Sequence, residues 1–78
     1  MITQTQLMDT IRKSLRLPKL EPDAQMGSIR GWDSLRHVQL LIELERVCQV
    51  EIPPDLFGTL ISVESITAFL RDAGTLAD

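Results

Sequence analysis

The segment from residue 34 to about 49, SLRHVQLLIELERVCQ, constrains the fold more than any other part of the chain. Leu35, Val38, Leu40, Leu41, Ile42, Leu44, Val47 and Cys48 cover well over a third of a helical wheel, too broad a face for a helix resting on one neighbour. Two other helices must share it, so the segment predicts the central member of a small bundle. Its remaining stripe, Arg36, Gln39, Glu43 and Arg46, steps by three or four residues and reads as one solvent-facing line.

Two further segments supply the neighbours. Over roughly 3 to 16, Leu7, Met8, Ile11 and Leu15 recur at helical spacing. Thr3 and Gln6 have the form of a capping box. Arg12, Lys13 and Arg16 crowd the last turn, where cations suit the negative end of the dipole, and Pro18 forbids continuation. The last helix takes Ser62 as N-cap, turns Val63, Ile66, Phe69 and Leu70 inward, and stops at Gly74. Between the second and last helices, Val50-Glu51-Ile52 reads as an extended link into Pro53-Pro54, and Asp55 to Leu60 as one short helical turn capped by Asp55. Residues 17 to 33, with Pro18, Pro22, Asp23, Gly27, Ser28 and Gly31, form a long connection pinned by Leu20, Met26 and Ile29. Connections beyond about 12 to 15 residues are uncommon in compact domains unless they serve a function. This one delivers the chain to Asp33.

The 78 residues suit one domain, residues 1–78. A chain this small buries only about 60% of its unfolded surface, a core too thin to enclose an active-site cavity. A net charge of −3 and a pI near 5.0 give no footprint for a phosphate backbone, so no nucleic-acid partner is expected. The lone Cys48 forms no intramolecular disulfide, and polar Thr3, Gln4, Thr5 and Gln6 stand where a signal peptide would be apolar. The longest unbroken apolar run, Leu40-Leu41-Ile42, is far short of a membrane span. A cytoplasmic, monomeric protein without membrane or metal partner is expected.

Asp33 and Ser34 stand where the glycine-containing loop meets the central helix. Asp33 suffices as the cap, which leaves the Ser34 hydroxyl free at the first helical position, where open amides and the helix dipole would stabilise a phosphate. Ser34, His37 and Asp33 also invite comparison with a hydrolase triad. Asp33 precedes the helix, however, while His37 points from its first turn, and no second Gly-rich segment offers oxyanion donors. No catalytic residue is assigned, and His37 is read as a solvent-facing residue close to a phosphate on Ser34.

"GWDSL", the long apolar helix, Ile52-Pro53 and the final "SVESITAFL" together resemble an acyl carrier protein of the phosphopantetheine-attachment family, without an obvious gap from about Gly31 to Leu70. The resemblance implies an all-α four-helix bundle with a short third helix and a long loop between helices one and two. It implies that Ser34, flanked by Asp33 and Leu35 of the motif, receives 4′-phosphopantetheine from coenzyme A through a phosphopantetheinyl transferase. The distal thiol of that group would carry acyl cargo as a thioester to the loading and processing enzymes of a pathway; such a protein is a carrier and not an enzyme. By the same pattern Leu35 is a docking residue, whereas Val38, Leu41 and Leu44 belong to the core.

The chain departs from the fatty-acid-synthesis type, whose second helix is strongly acidic. Here Arg36, Gln39, Glu43 and Arg46 hold two positive charges and one negative, and with Leu35 they are read as the partner-docking set. That points to a specialised polyketide, nonribosomal-peptide or related pathway. A fatty-acid-synthesis carrier and an unmodified helical interaction module are the alternatives. Cys48 stands where related carriers often have an aromatic residue, leaving room that either shelters cargo or is filled by Phe57 or Phe69. The GWDSL context is closer to acyl than to peptidyl carriers, with an aminoacyl cargo left open. The lack of a Pro/Ala-rich linker favours a free-standing carrier.

Overall fold

Each helix of the computed structural model, which describes residues 1–77, begins at a side-chain cap and ends in a left-handed or hydrogen-bonded turn. Helix α1 (Gln4–Ser14) opens on the expected capping box, with Thr3 Oγ1 accepting from the Gln6 amide at 3.1 Å and Gln6 Oε1 from the Thr3 amide at 2.8 Å. It ends two residues earlier than expected. Arg16 lies beyond it at φ 57°, and the Leu17 and Arg16 amides return to the Arg12 and Lys13 carbonyls at 3.0 and 3.1 Å. An arginine thus takes the left-handed position that usually falls to glycine. Helix α2 (Ser34–Cys48) is capped by Asp33, and α3 (Val63–Asp72) by Ser62, with Ser65 closing a second capping box and Gly74 at φ 77° ending the helix.

The expected short third helix is a single 3-10 turn, Pro54–Leu56, and Asp55 lies inside it instead of capping it. Two adjacent prolines remove amide donors there, and the short stretch from Asp55 to Leu60, with Gly58 inside it, is too brief to repay helix nucleation. Among the described residues the bundle therefore has three α-helices. A parallel pair of two-residue strands, β1 (Ile2–Thr3) and β2 (Leu76–Ala77), joins the ends of the chain in a way no local signal announced.

Helix α1 lies against both α2 and α3. Leu7, Ile11 and Leu15 of α1 meet Leu40, Leu41, Leu44 and Cys48 of α2 and Val63, Ile66 and Leu70 of α3 in one core, with Phe57 and Phe69 packed against it. The long connection is fastened by backbone as well as by side chains. The Met26 amide donates to the Ile61 carbonyl at 2.7 Å, and the Val63 amide to Ala24 at 3.0 Å. This tie holds residues 24–26 across the entrance to α3, and the chain then turns toward Trp32, of which 1% is exposed.

Candidate functional site

The approach to Ser34 is sterically specified. Gly31 adopts φ 101°, which disfavours any side chain, and a Cβ there would lie 3.3 Å from Leu17 Cδ2. Trp32 buries its ring, Asp33 is extended, and α2 begins at Ser34. The Asp33 carboxylate accepts from the Arg36 amide at 2.9 Å, and its carbonyl from the His37 amide at 2.8 Å. Asp33 is therefore the cap, as expected. Ser34 is exposed, and among the described residues no group bonds its hydroxyl. The amides of Ser34 and Leu35, which helix geometry leaves without intrahelical acceptors, open to the same side.

His37 contradicts its expected place. Only 4% of it is exposed, and both ring nitrogens are engaged inside the protein. The Trp32 indole Nε1–H donates to His37 Nδ1 at 3.0 Å, and His37 Nε2 lies 2.9 Å from the Phe57 carbonyl oxygen. An indole only donates and a carbonyl only accepts, so the pairing assigns the proton to Nε2. The imidazole has no free nitrogen with which to serve Ser34, and the triad comparison fails on geometry. The missed signal was periodic: His37, Leu40, Leu41, Leu44 and Cys48 fall at i, i+3, i+4, i+7 and i+11, and all are buried.

That stripe is the true core face of α2, and it displaces others. Val38, expected in the core, is 40% exposed, while Leu41 and Leu44 are fully buried as expected. Leu35 and Ile42 are 69% and 55% exposed, so Leu35, Val38 and Ile42 form an apolar strip running away from Ser34. The charged line is correspondingly weaker than expected. Arg36 is half-buried and donates from Nη1 to the Leu15 carbonyl at 3.0 Å, closing the end of α1. Arg46 pairs with Glu43 through two hydrogen bonds, one from Nε to Oε1 at 3.2 Å. Their mutual bonding pushes Glu43 below, and Arg46 above, its ordinary range. Gln39 is exposed. Beside Ser34 the surface of α2 is therefore apolar with a self-neutralised ion pair at its far end.

Cys48 belongs to the core, and burial pushes its thiol up, against smaller opposing effects of the amino terminus and Thr75. No group of three or more His, Cys, Asp or Glu side chains placed to hold a metal ion occurs among the described residues, and no described helix is long and apolar enough to cross a membrane.

A curated relative from Streptomyces coelicolor, named acyl carrier protein, is 29% identical over 77 residues, a match covering 90% of this chain and 84% of the relative. This chain is similar to an acyl carrier protein. The similarity covers most of the chain. The engagement of both His37 nitrogens away from Ser34 leaves the serine without the base that a hydrolase triad needs. No family model matches the chain, and no solved structure does.

Proposed function

We propose that this chain is an acyl carrier domain on which Ser34 accepts 4′-phosphopantetheine from coenzyme A, the reaction being catalysed by a phosphopantetheinyl transferase. The observation that carries the reading is the state of the Ser34 hydroxyl: exposed, unbonded among the described residues, and set at the N-terminus of a 15-residue helix whose cap is supplied by its neighbour. Asp33 spares the serine from capping. The Ser34 and Leu35 amides and the dipole of α2 suit the phosphodiester that would form on the serine oxygen. When bound, the group supplies a flexible arm ending in a thiol that holds acyl cargo as a thioester. This chain's own part is to present the arm and to be recognised.

Recognition is proposed to use Leu35, Val38, Gln39 and Ile42. Of the docking set read from the sequence, Arg36 is turned to Leu15 and Glu43 and Arg46 satisfy one another, so a partner meets apolar side chains before it meets net charge. A strongly basic partner patch gains little from that surface, which favours a specialised polyketide, nonribosomal-peptide or related pathway over fatty-acid synthesis.

The test is to incubate the protein with coenzyme A and a broad-specificity transferase and to measure its intact mass beside Ser34→Ala. A phosphopantetheine-sized gain that disappears in the variant is the expected result. No gain with several transferases would refute the reading and leave the apolar strip as the surface of an unmodified interaction module.

A further inference from the structure

We infer that His37 is a positioning residue for the modification of Ser34, acting through Trp32; the inference rests on the proposed attachment at Ser34. Residue 37 holds both residues that precede the serine. Its backbone amide takes the Asp33 carbonyl at 2.8 Å, and its Nδ1 takes the Trp32 indole proton at 3.0 Å. The imidazole is itself anchored on the far side, where Nε2–H donates to the Phe57 carbonyl at 2.9 Å. The short turn that carries the hydroxyl is thus tied to the segment after the 3-10 turn through a single side chain.

Space-filling does not require this. Leu40, Leu41 and Leu44 occupy the same stripe with apolar side chains, and burying an imidazole is costly unless both nitrogens are paired. What the imidazole adds is direction. Its acceptor sets the rotation of an indole that is 1% exposed and lies two residues before Ser34. Asp33 alone fixes the helix side of the turn; the Trp32 bond fixes the loop side. Without the acceptor, the ring loses its one side-chain hydrogen bond, and the backbone between Gly31 and Ser34 samples more poses. In the proposed step the Ser34 oxygen bonds to the pantetheine-side phosphorus of coenzyme A, the pyrophosphate P–O bond breaks, adenosine 3′,5′-bisphosphate leaves, and the serine proton passes to a base of the transferase; such an attack is sensitive to spread, because a misplacement of about 1 Å costs about 100-fold in rate.

Two substitutions separate the halves of the relay. His37→Asn places a carbonyl oxygen at the position of Nδ1 and drops the bond to Phe57, whereas His37→Gln places an amide donor at the position of Nε2 and drops the acceptor for Trp32. Each loses one hydrogen bond, so a merely structural role predicts equal effects. The experiment measures kcat and KM for transferase modification of wild type, His37→Asn, His37→Gln and His37→Leu. Thermal midpoints and the Trp32 indole N–H resonance, the only one in the chain, are recorded alongside. The expected result is rescue by Asn, with kcat within about threefold of wild type, and a fall of about tenfold in kcat for Gln and Leu at unchanged KM. The indole resonance should shift in Gln and Leu and hold in Asn. Equal slowing by Asn and Gln, slowing that merely follows the thermal midpoints, or no slowing by Leu would overturn the inference. Absence of modification on the wild type would instead overturn the attachment reading, before any variant is compared.

Discussion

Replacing Arg36 by Met should destabilise the protein, and the same change at Arg46 should not, although both residues stand on one polar stripe of α2. The Arg36 guanidinium is half-buried and bonds the Leu15 carbonyl at 3.0 Å, where α1 ends and its dipole is negative. A hydrogen bond from a charged donor is worth about 1.5–3 kcal/mol net, and partial exposure places this one at the low end because water replaces part of it. A cation at a helix C-terminus adds about 0.3–1 kcal/mol. Met keeps the length of the stem, so little packing is lost, and the expected cost is about 2 kcal/mol. In a domain of this size about 1 kcal/mol moves the thermal midpoint by about 4–8 °C. Arg46, 72% exposed, holds only Glu43 on its own helix, and its loss should leave the midpoint in place. Thermal unfolding followed by circular dichroism, checked by urea titration, measures both variants. Equal falls, or an unchanged midpoint in Arg36→Met, would refute the assignment of Arg36 to the closure of α1.

Leu35→Ser and Ile42→Ser should change stability by less than about 0.5 kcal/mol, since both residues face solvent, yet slow acyl transfer to cognate partners. Rates measured from low to high salt should vary little, and a steep decline with salt would show that charge, not apolar contact, guides docking. Cys48 should resist a thiol reagent at mildly alkaline pH in the native protein and react once urea unfolds it, because burial both shields the thiol and raises its ionisation range; rapid native labelling would contradict this. Asp9 is held below the ordinary carboxylate range by hydrogen bonds from Arg12 and Lys13. Its folded value lies below its unfolded one, so its contribution is present above the unfolded value and is lost as pH falls through the folded value. Asp9→Asn should therefore flatten the acid limb of a stability-against-pH curve, and an identical limb would show that the pair contributes nothing.

The proposed carrier role is supported by similarity to an acyl carrier protein, at 29% identity across 90% of the chain, and by the free Ser34 hydroxyl that the capping geometry of Asp33 leaves. The neutral surface beside the serine bears on which enzymes such a carrier meets. Arg36 and Arg46 gave that surface a mixed-charge look in the linear sequence, but Arg36 is turned to the Leu15 carbonyl and Arg46 is paired with Glu43 on its own helix.

Local chemistry determined the starts and stops of the helices. Thr3 with Gln6, Asp33, Ser62 with Ser65, and Gly74 act within a few residues of themselves, so their roles were legible without the fold, apart from Ser65, and so was the spare hydroxyl of Ser34. The 3-10 turn was legible in place but not in kind, because one helical turn bounded by prolines is decided by small differences in hydrogen-bond geometry. Which face of α2 turns inward was left to the tertiary structure. That helix carries two apolar stripes, Leu35-Val38-Ile42 and Leu40-Leu41-Leu44-Cys48, and a wheel alone ranks them equally. The second wins because α1 and α3 cover it and because Trp32 and Phe57, distant from His37 in different degrees along the chain, meet both nitrogens of the histidine that shares its line. Burial of a polar ring is repaid only by partners on other segments, and the same is true of the Leu15 carbonyl that draws Arg36 inward. The sequence alone could therefore propose the serine, while only packing could decide what stands beside it.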